Sequence, residues 1–238
     1  MDVAAIGPVS KDTIRARVYS ELKRALLSGM FEPGQVIIAR VVAEQMGVGL
    51  MPVRESIQQL VTEGGLEFLP SRTIRVPTLT GNDLNEIFEI RMSLECTAAE
   101  KAAQRITPDV IAEIRYLADQ VIVPEDGSSA ASCLAANSAF HFRIYEAANA
   151  PHLYGIIERL WLNVGPLLIL PYHARGTTKQ SFFDTLVVHE QLVDKLAAGD
   201  GPGAAQKMAE ILGRSLRWYN EHGELRRNPG EDDLIDAD

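Results

Sequence analysis

Apolar residues return at helical spacing along most of the chain, and only one short stretch alternates with period two. Over residues 11–27, Ile14, Val18, Leu22 and Ala25 or Leu26 predict a first helix, which Ser28-Gly29 stops. Phe31-Glu32-Pro33-Gly34 is a turn. Residues 39–46, apolar at Val42, Ala43 and Met46, predict a second helix, and Gly47-Val48-Gly49 is a turn of the length that joins a helix-turn-helix pair. The third helix carries Pro52 in its first turn, where a missing N–H costs little. It sets Val53, Ile57, Leu60 and Val61 on one face and ends at Gly64-Gly65. Residues 66–69 and 73–76 then alternate apolar with polar around Pro70-Ser71-Arg72, which predicts a two-stranded hairpin. That order is a winged helix-turn-helix, a shape that seats its second helix of the pair in a DNA major groove. Arg54 and Gln58 leave the apolar face and point outward with Arg40. Arg bonds a guanine edge through two hydrogen bonds and Gln an adenine edge in the same way.

Beyond Pro77-Thr78-Leu79 the strand signal vanishes. Thr80 with Asp83 three residues on is spaced as a capping box, predicting a helix to about residue 105. Thr107-Pro108 opens another to about 121, and 124–129 is a loop. Further helices are predicted over 130–148, 151–170, 179–198 and 203–220. The fold class is therefore mostly α. Residues 1–78 form the winged helix-turn-helix, residues 79–224 an all-α bundle, and residues 225–238 an acidic tail expected to be flexible.

Bundles hold ligands between facing helices, so polar residues on apolar stripes carry the interest. One stripe runs Leu84, Ile87 or Phe88, Arg91, Leu94 or Glu95, Ala98; a second Leu134, Asn137, His141, Ile144, Ala148; a third Phe182, Leu186, His189, Val193, Leu196 or Ala197. A buried guanidinium needs an anion. Glu95, one turn on, is the ordinary partner for Arg91, and a lone inward His is ordinarily a satisfied core residue. Three such helices converging instead make a polar pocket, in which a carboxylate ligand could exchange into the Arg91–Glu95 pairing.

Composition narrows the classes. The 46% apolar content is that of a globular protein, and the pattern suggests no run able to span a bilayer and no N-terminal signal, so no membrane partner is expected. Cys96 and Cys133 give neither a disulfide framework nor zinc spacing, which fits a reducing cytoplasmic setting. The net charge of −9 looks wrong for binding DNA, but it is unevenly placed. Residues 1–78 hold nine Lys and Arg against eight Asp and Glu, a net of +1, and the remainder holds 14 against 24. Phosphate attraction then depends on where charges sit, and pairing two copies would strengthen it.

The segment Met46-Gly47-Val48, Pro52-Val53-Arg54-Glu55-Ser56-Ile57, Glu63-Gly64 and Ser71-Arg72, with Gly34 ahead of it, resembles the DNA-binding domain of the GntR family of bacterial regulators. The resemblance implies operator DNA as partner, a homodimer, and contact roles for Arg40, Arg54 and Arg72. Where the family has Ser-Arg-Thr before the proline, this chain has Gly49-Leu50-Met51, so one family arginine is lost and Leu50 offers apolar contact with, for instance, a thymine methyl. Thr73 stands where the family wing has glycine.

The remainder resembles the FCD domain of the FadR-type branch, through Glu89-Ile90-Arg91 to Glu95, Asn137 to His141, Asn149 to Leu153, and His189 to Asp200. Many such domains hold a divalent metal on an Asp and three His beside a small carboxylate effector. Here Asn137 takes the Asp position, His141 and His189 match two of the His, and the third position is Ile211. Two imidazoles and an amide are a poor site for zinc or nickel. The resemblance thus implies a transcription regulator, in the manner of a repressor, whose metal-free pocket of Arg91, Asn137, His141 and His189 binds a small organic acid. The alternative is a metal-dependent enzyme using His141 and His189. It lacks a partnered nucleophile or a phosphate loop and has only Glu95 as a base.

Overall fold

The computed structural model describes residues 14–121, 130–173 and 179–223, with backbone alone for 179–185. The start of the first predicted helix, the loop 124–129, the Phe182 side chain and the acidic tail lie outside them. Helix α1 (Ile14–Leu27) buries Val18, Leu22 and Leu26, the stripe its spacing dictates. Helices α2 (Ala39–Met46) and α3 (Leu50–Thr62) follow, and Gly47 makes the turn between them in the left-handed conformation, φ 63°, that a side chain disfavours. Helix α3 lays Val53, Ile57 and Leu60 against α1, where Ser56 Oγ also donates to the Arg15 carbonyl at 3.2 Å.

The wing differs from expectation in one respect. Strands β2 (Glu67–Phe68) and β3 (Ile74–Arg75) form the predicted hairpin, but β1 (Val36–Ile37) adds to the far side of β3, giving a three-stranded antiparallel sheet of order β1-β3-β2. Two paired residues are too few to show alternation, so Val36-Ile37 had no strand signature. The one left-handed residue of the wing turn is the neighbour of Thr73, Arg72, at φ 62°. For a non-glycine residue that conformation costs about 1–2 kcal/mol.

The bundle opens with α4 (Gly81–Ala103). Thr80 Oγ accepts from the Asp83 N–H at 3.2 Å and the Asp83 carboxylate accepts from the Thr80 N–H at 2.9 Å, completing the capping box. Then come α5 (Pro108–Asp119), α6 (Ala130–Ala147) and α7 (Pro151–Val164). The helix predicted over 151–170 breaks at Gly165-Pro166 into a 3-10 segment, Gly165–Ile169, and a short α8 (Leu170–His173). Pro166 lacks the N–H an unbroken α-helix would use. Helices α9 (Lys179–Ala197) and α10 (Gly201–Glu221) close the bundle, with α4 against α6, α7, α9 and α10 around Phe88, Ile114, Phe140, Ile144, Leu192 and Met208. By length and composition Pro151–His173 is apolar enough to cross a membrane, against the sequence expectation, yet its Ile157, Trp161, Leu162, Val164, Leu167 and Leu170 are buried inside the protein.

Two hydrophobic cores result, and they are joined. Leu162 of α7 is fully buried in the winged-helix core with Leu26 and Leu60, whereas its neighbour Trp161 belongs to the bundle core. Lys23 of α1 pairs with Glu158 of α7 at 2.7 Å, and Ser138 Oγ of α6 donates to the Leu27 carbonyl at 2.8 Å, satisfying an acceptor at the C-terminal end of α1. Gly165 lets the two backbones meet. A Cβ there would fall on the Leu26 carbonyl oxygen and 2.9 Å from Leu27 Cα. Gly165→Ala is therefore expected to destabilise the protein by about 1–3 kcal/mol, although the residue is helical and alanine suits a helix. Urea unfolding measures this, and a midpoint at or above the parent's would contradict so close a docking.

Candidate functional site

Helices α4, α6, α7, α9 and α10 enclose a cavity of ≈ 490 Å³. Arg91, Asn137, His141 and His189, chosen from three separate stripes, all line it, and so does Ile211 at the position of the missing histidine. Aromatic rings make much of the remaining wall, with Phe88, Trp161, Tyr172, Trp218 and Tyr219. The size suits a small organic molecule.

Beneath the cavity lies Glu95, fully buried. Arg91 Nε donates to its Oε1 at 2.6 Å and Trp161 Nε1 donates to the same oxygen at 3.1 Å. Tyr145 donates its hydroxyl proton to Oε2. One carboxylate thus gathers donors from α4, α6 and α7. Arg91, 5% exposed, also lies over the faces of Phe88 and Trp161, 4.6 and 5.0 Å from the ring centres. Exchange of Glu95 for a ligand carboxylate, the sequence expectation, would strand the Tyr145 and Trp161 donors as well as the glutamate charge. A ligand fits better beside the pair than in place of it.

The same network sets a tautomer. Tyr145 spends its one proton on Glu95, so toward His141 Nδ1, 3.2 Å away, its oxygen acts as acceptor. His141 therefore carries its proton on Nδ1 and keeps a lone pair on Nε2. Burial holds the His141 imidazole well below its ordinary range, with His189 and Arg91 adding to the effect. Burial likewise pushes the Tyr145 phenol up, and the Glu95 charge pushes it further, which keeps the hydroxyl protonated as the network requires. His141 and His189 sit edge to face, ring centres 5.4 Å apart, with Phe140 against both.

This donor set does not fit a tightly held divalent ion. Among the described residues no group of three or more His, Cys, Asp or Glu could hold a metal. Asn137 offers a neutral oxygen and Ile211 a hydrocarbon.

Beyond Ile211, sequence reasoning missed the residues that α10 adds to the wall. Arg214, Ser215 and Arg217 line the cavity, and Arg217 is exposed, with no ion pair among the described residues. The signal was present in the helical spacing of Met208, Ile211, Ser215 and Trp218.

On the winged helix, Arg40, Arg54, Gln58 and Arg72 are all exposed. A shallow groove along α3 is lined by Arg54, Glu55, Gln58 and Thr62, with Arg15 of α1 beside them. Arg15, not anticipated from the pattern, lies 3.6 Å from Glu55 and donates to Gln59 at 3.2 Å, which offsets an acidic charge on this face. Leu50 is half-buried against the winged-helix core, so it is the neighbouring Met51 that stands in solvent.

Comparison with known proteins agrees at both ends of the chain. Residues 14–76 match the family model of bacterial regulatory proteins, gntR family, and residues 86–214 match that of the FCD domain. The HTH-type transcriptional regulator McbR of Escherichia coli (strain K12) is 29% identical over 210 residues, covering 88% of this chain and 94% of that protein. The solved structure of E. coli McbR/YncC superimposes with a TM-score of 0.81 at 28% identity, over 89% of this chain and 99% of that one. The gluconate operon transcriptional repressor of Bacillus subtilis (strain 168) is 24% identical over 188 residues, 77% of this chain and 75% of its own. These relatives are named as regulators of transcription and not as enzymes.

The His141 environment has a consequence in solution. The unfolded chain takes up a proton at this residue near its ordinary value of 6.5, whereas the folded protein resists it. Below about pH 6.5 the unfolded state binds more protons, so stability falls on acidification, by up to about 1.4 kcal/mol per pH unit for this one group. The slope should lose about one proton in His141→Asn. Urea unfolding between pH 7 and 5 reads it, and equal slopes in the two proteins would contradict a buried neutral imidazole.

Proposed function

The chain belongs to the GntR family of bacterial regulatory proteins, in the branch that carries an FCD domain, and is a DNA-binding transcription regulator; we propose that it works as a cytoplasmic homodimer whose operator binding responds to a small organic acid in the bundle cavity. The DNA-reading unit spans residues 1–78 and the effector unit 79–224. In a dimer, two α3 helices meet successive major-groove faces of a near-palindrome. Arg54 and Gln58 read base edges, while Arg40 and Arg72 hold phosphates.

The acid is held without a metal. Arg91, Asn137, His141 and His189 supply its polar contacts, and Arg217 at the rim supplies a charge for its carboxylate. The His141 Nε2 lone pair accepts from a hydroxyl or amine of the ligand, which favours hydroxy or amino acids over plain ones.

One observation carries the link between ligand and DNA. Trp161 lines the cavity, and the next residue, Leu162, fills the core beneath α1 and α3. Ser138, beside the cavity residue Asn137, bonds the end of α1. A ligand that draws α6 and α7 together moves α1 directly, rather than through the 78–80 linker, and so changes how two winged helices face one operator.

Calorimetry with a panel of organic acids, before and after EDTA, tests the pocket. Binding should survive chelation and weaken about tenfold or more in Arg91→Lys, which keeps the charge and loses the planar fork. Stoichiometric metal in the purified protein, with binding lost on chelation, would restore a metal site at His141 and His189. For the DNA face, Arg54→Ala should cost about 1–3 kcal/mol and relax base preference at one position per half-site. Arg72→Ala should weaken all sequences alike and flatten the salt dependence. Light scattering checks the assembly, and a monomer that still binds DNA tightly would contradict the dimer.

A further inference from the structure

We infer that Met51 reads thymine methyl groups in the operator, in a position where the family pattern seats polar contacts. The inference rests on α3 being the DNA-reading helix. At 100° per residue, the buried residues Val53, Ser56, Ile57 and Leu60 centre one face of α3. Met51 lies directly opposite, in line with Glu55, Gln58 and Thr62 and one turn before Arg54. It is 64% exposed, more than any other large apolar side chain of the three winged-helix helices among the described residues. Leu50 is not available for this role, being half-buried against Val53 and its neighbours in the core.

The first turn of a recognition helix enters deepest into the groove. There a thioether side chain has no hydrogen-bond donor and only a weak acceptor. The one apolar group on any base edge in the major groove is the C5-methyl of thymine. Met51 is flexible enough to lie along one or two such methyls, and its sulfur is polarizable enough to pack on them closely. Gly49 and Leu50 bring no arginine to the same turn, so guanine has no partner there. The half-site that follows has thymine next to the base read by Arg54. The chain has exchanged a phosphate- or guanine-seeking turn for a methyl-seeking one.

The test begins with operator selection from randomised duplexes using the full-length protein. Each selected thymine is then replaced by deoxyuridine, which removes the methyl and leaves every hydrogen-bonding group, and affinity is read by fluorescence anisotropy at fixed salt. At one or two positions per half-site, uracil should weaken binding about fourfold, the worth of one buried methyl. In Met51→Ala, whose exposed site leaves the fold intact, the thymine duplex should bind more weakly and the uracil penalty should vanish. Uracil tolerated everywhere, or a penalty undiminished in Met51→Ala, overturns the inference. Arg54→Ala separates the two layers. If it relaxes base preference while uracil is tolerated, only the Met51 role falls. If neither variant alters binding, α3 is not the reading helix and both readings fall together.

Discussion

A single buried carboxylate organises the effector half of this protein. Glu95 accepts from Arg91 on its own helix, Tyr145 on α6 and Trp161 on α7, and it has no exposure to water. A carboxylate in that setting is tolerable only because its lone pairs are occupied and a guanidinium balances its charge. The arrangement constrains the rest of the site. It fixes the Arg91 plane over Phe88 and Trp161, orders the Tyr145 proton, and through Tyr145 sets which nitrogen His141 presents. A hydrogen-bonded ion pair thus ties three helices of the bundle together, beside two histidines and an asparagine that make a poor ligand set for a divalent ion.

Helix α7 extends that constraint to the DNA-reading half. Successive residues Trp161 and Leu162 face two cores, and Gly165 brings the end of the helix onto the α1 backbone. A packed interior has few intermediate positions, so any shift of α7 would be passed to the elements packed on it rather than absorbed locally. In the regulation proposed above, the linker after the wing acts as a tether and the packed face between α1, α6 and α7 carries the signal.

Much of this was legible from residue order, for identifiable reasons. Period and punctuation placed α2 correctly, and Thr80 with Asp83 marked the start of α4 through a cap whose chemistry is local. The polar residues Arg91, Asn137, His141 and His189 stood out because each interrupts an apolar stripe, and the fold brings all four to one cavity. What stayed hidden was non-local. Strand β1 owes its existence to pairing with β3, across nearly forty residues of chain. Pro166 was a local sign of the break in 151–170, whereas the approach of α1 to Gly165 is encoded by no pattern within that stretch. Leu50 and Met51 are adjacent apolar residues, and only the packing of α3 decides which one is left outside. Glu95 seemed a simple partner for Arg91 because the donors from Tyr145 and Trp161 lie 50 and 66 residues away.

If Glu95 holds the bundle and α7 carries its geometry to the winged helix, removing that one charge must be felt at both. Glu95→Gln keeps the shape, but leaves the Arg91 charge uncompensated at a cost of about 3–5 kcal/mol. Amide hydrogen exchange by mass spectrometry resolves where that cost appears. The account predicts faster exchange in α4, α6 and α7, and also at the end of α1 where Leu27 meets Ser138, with α2 and the wing least affected. Parent-like exchange throughout, or acceleration confined to α4, would contradict it.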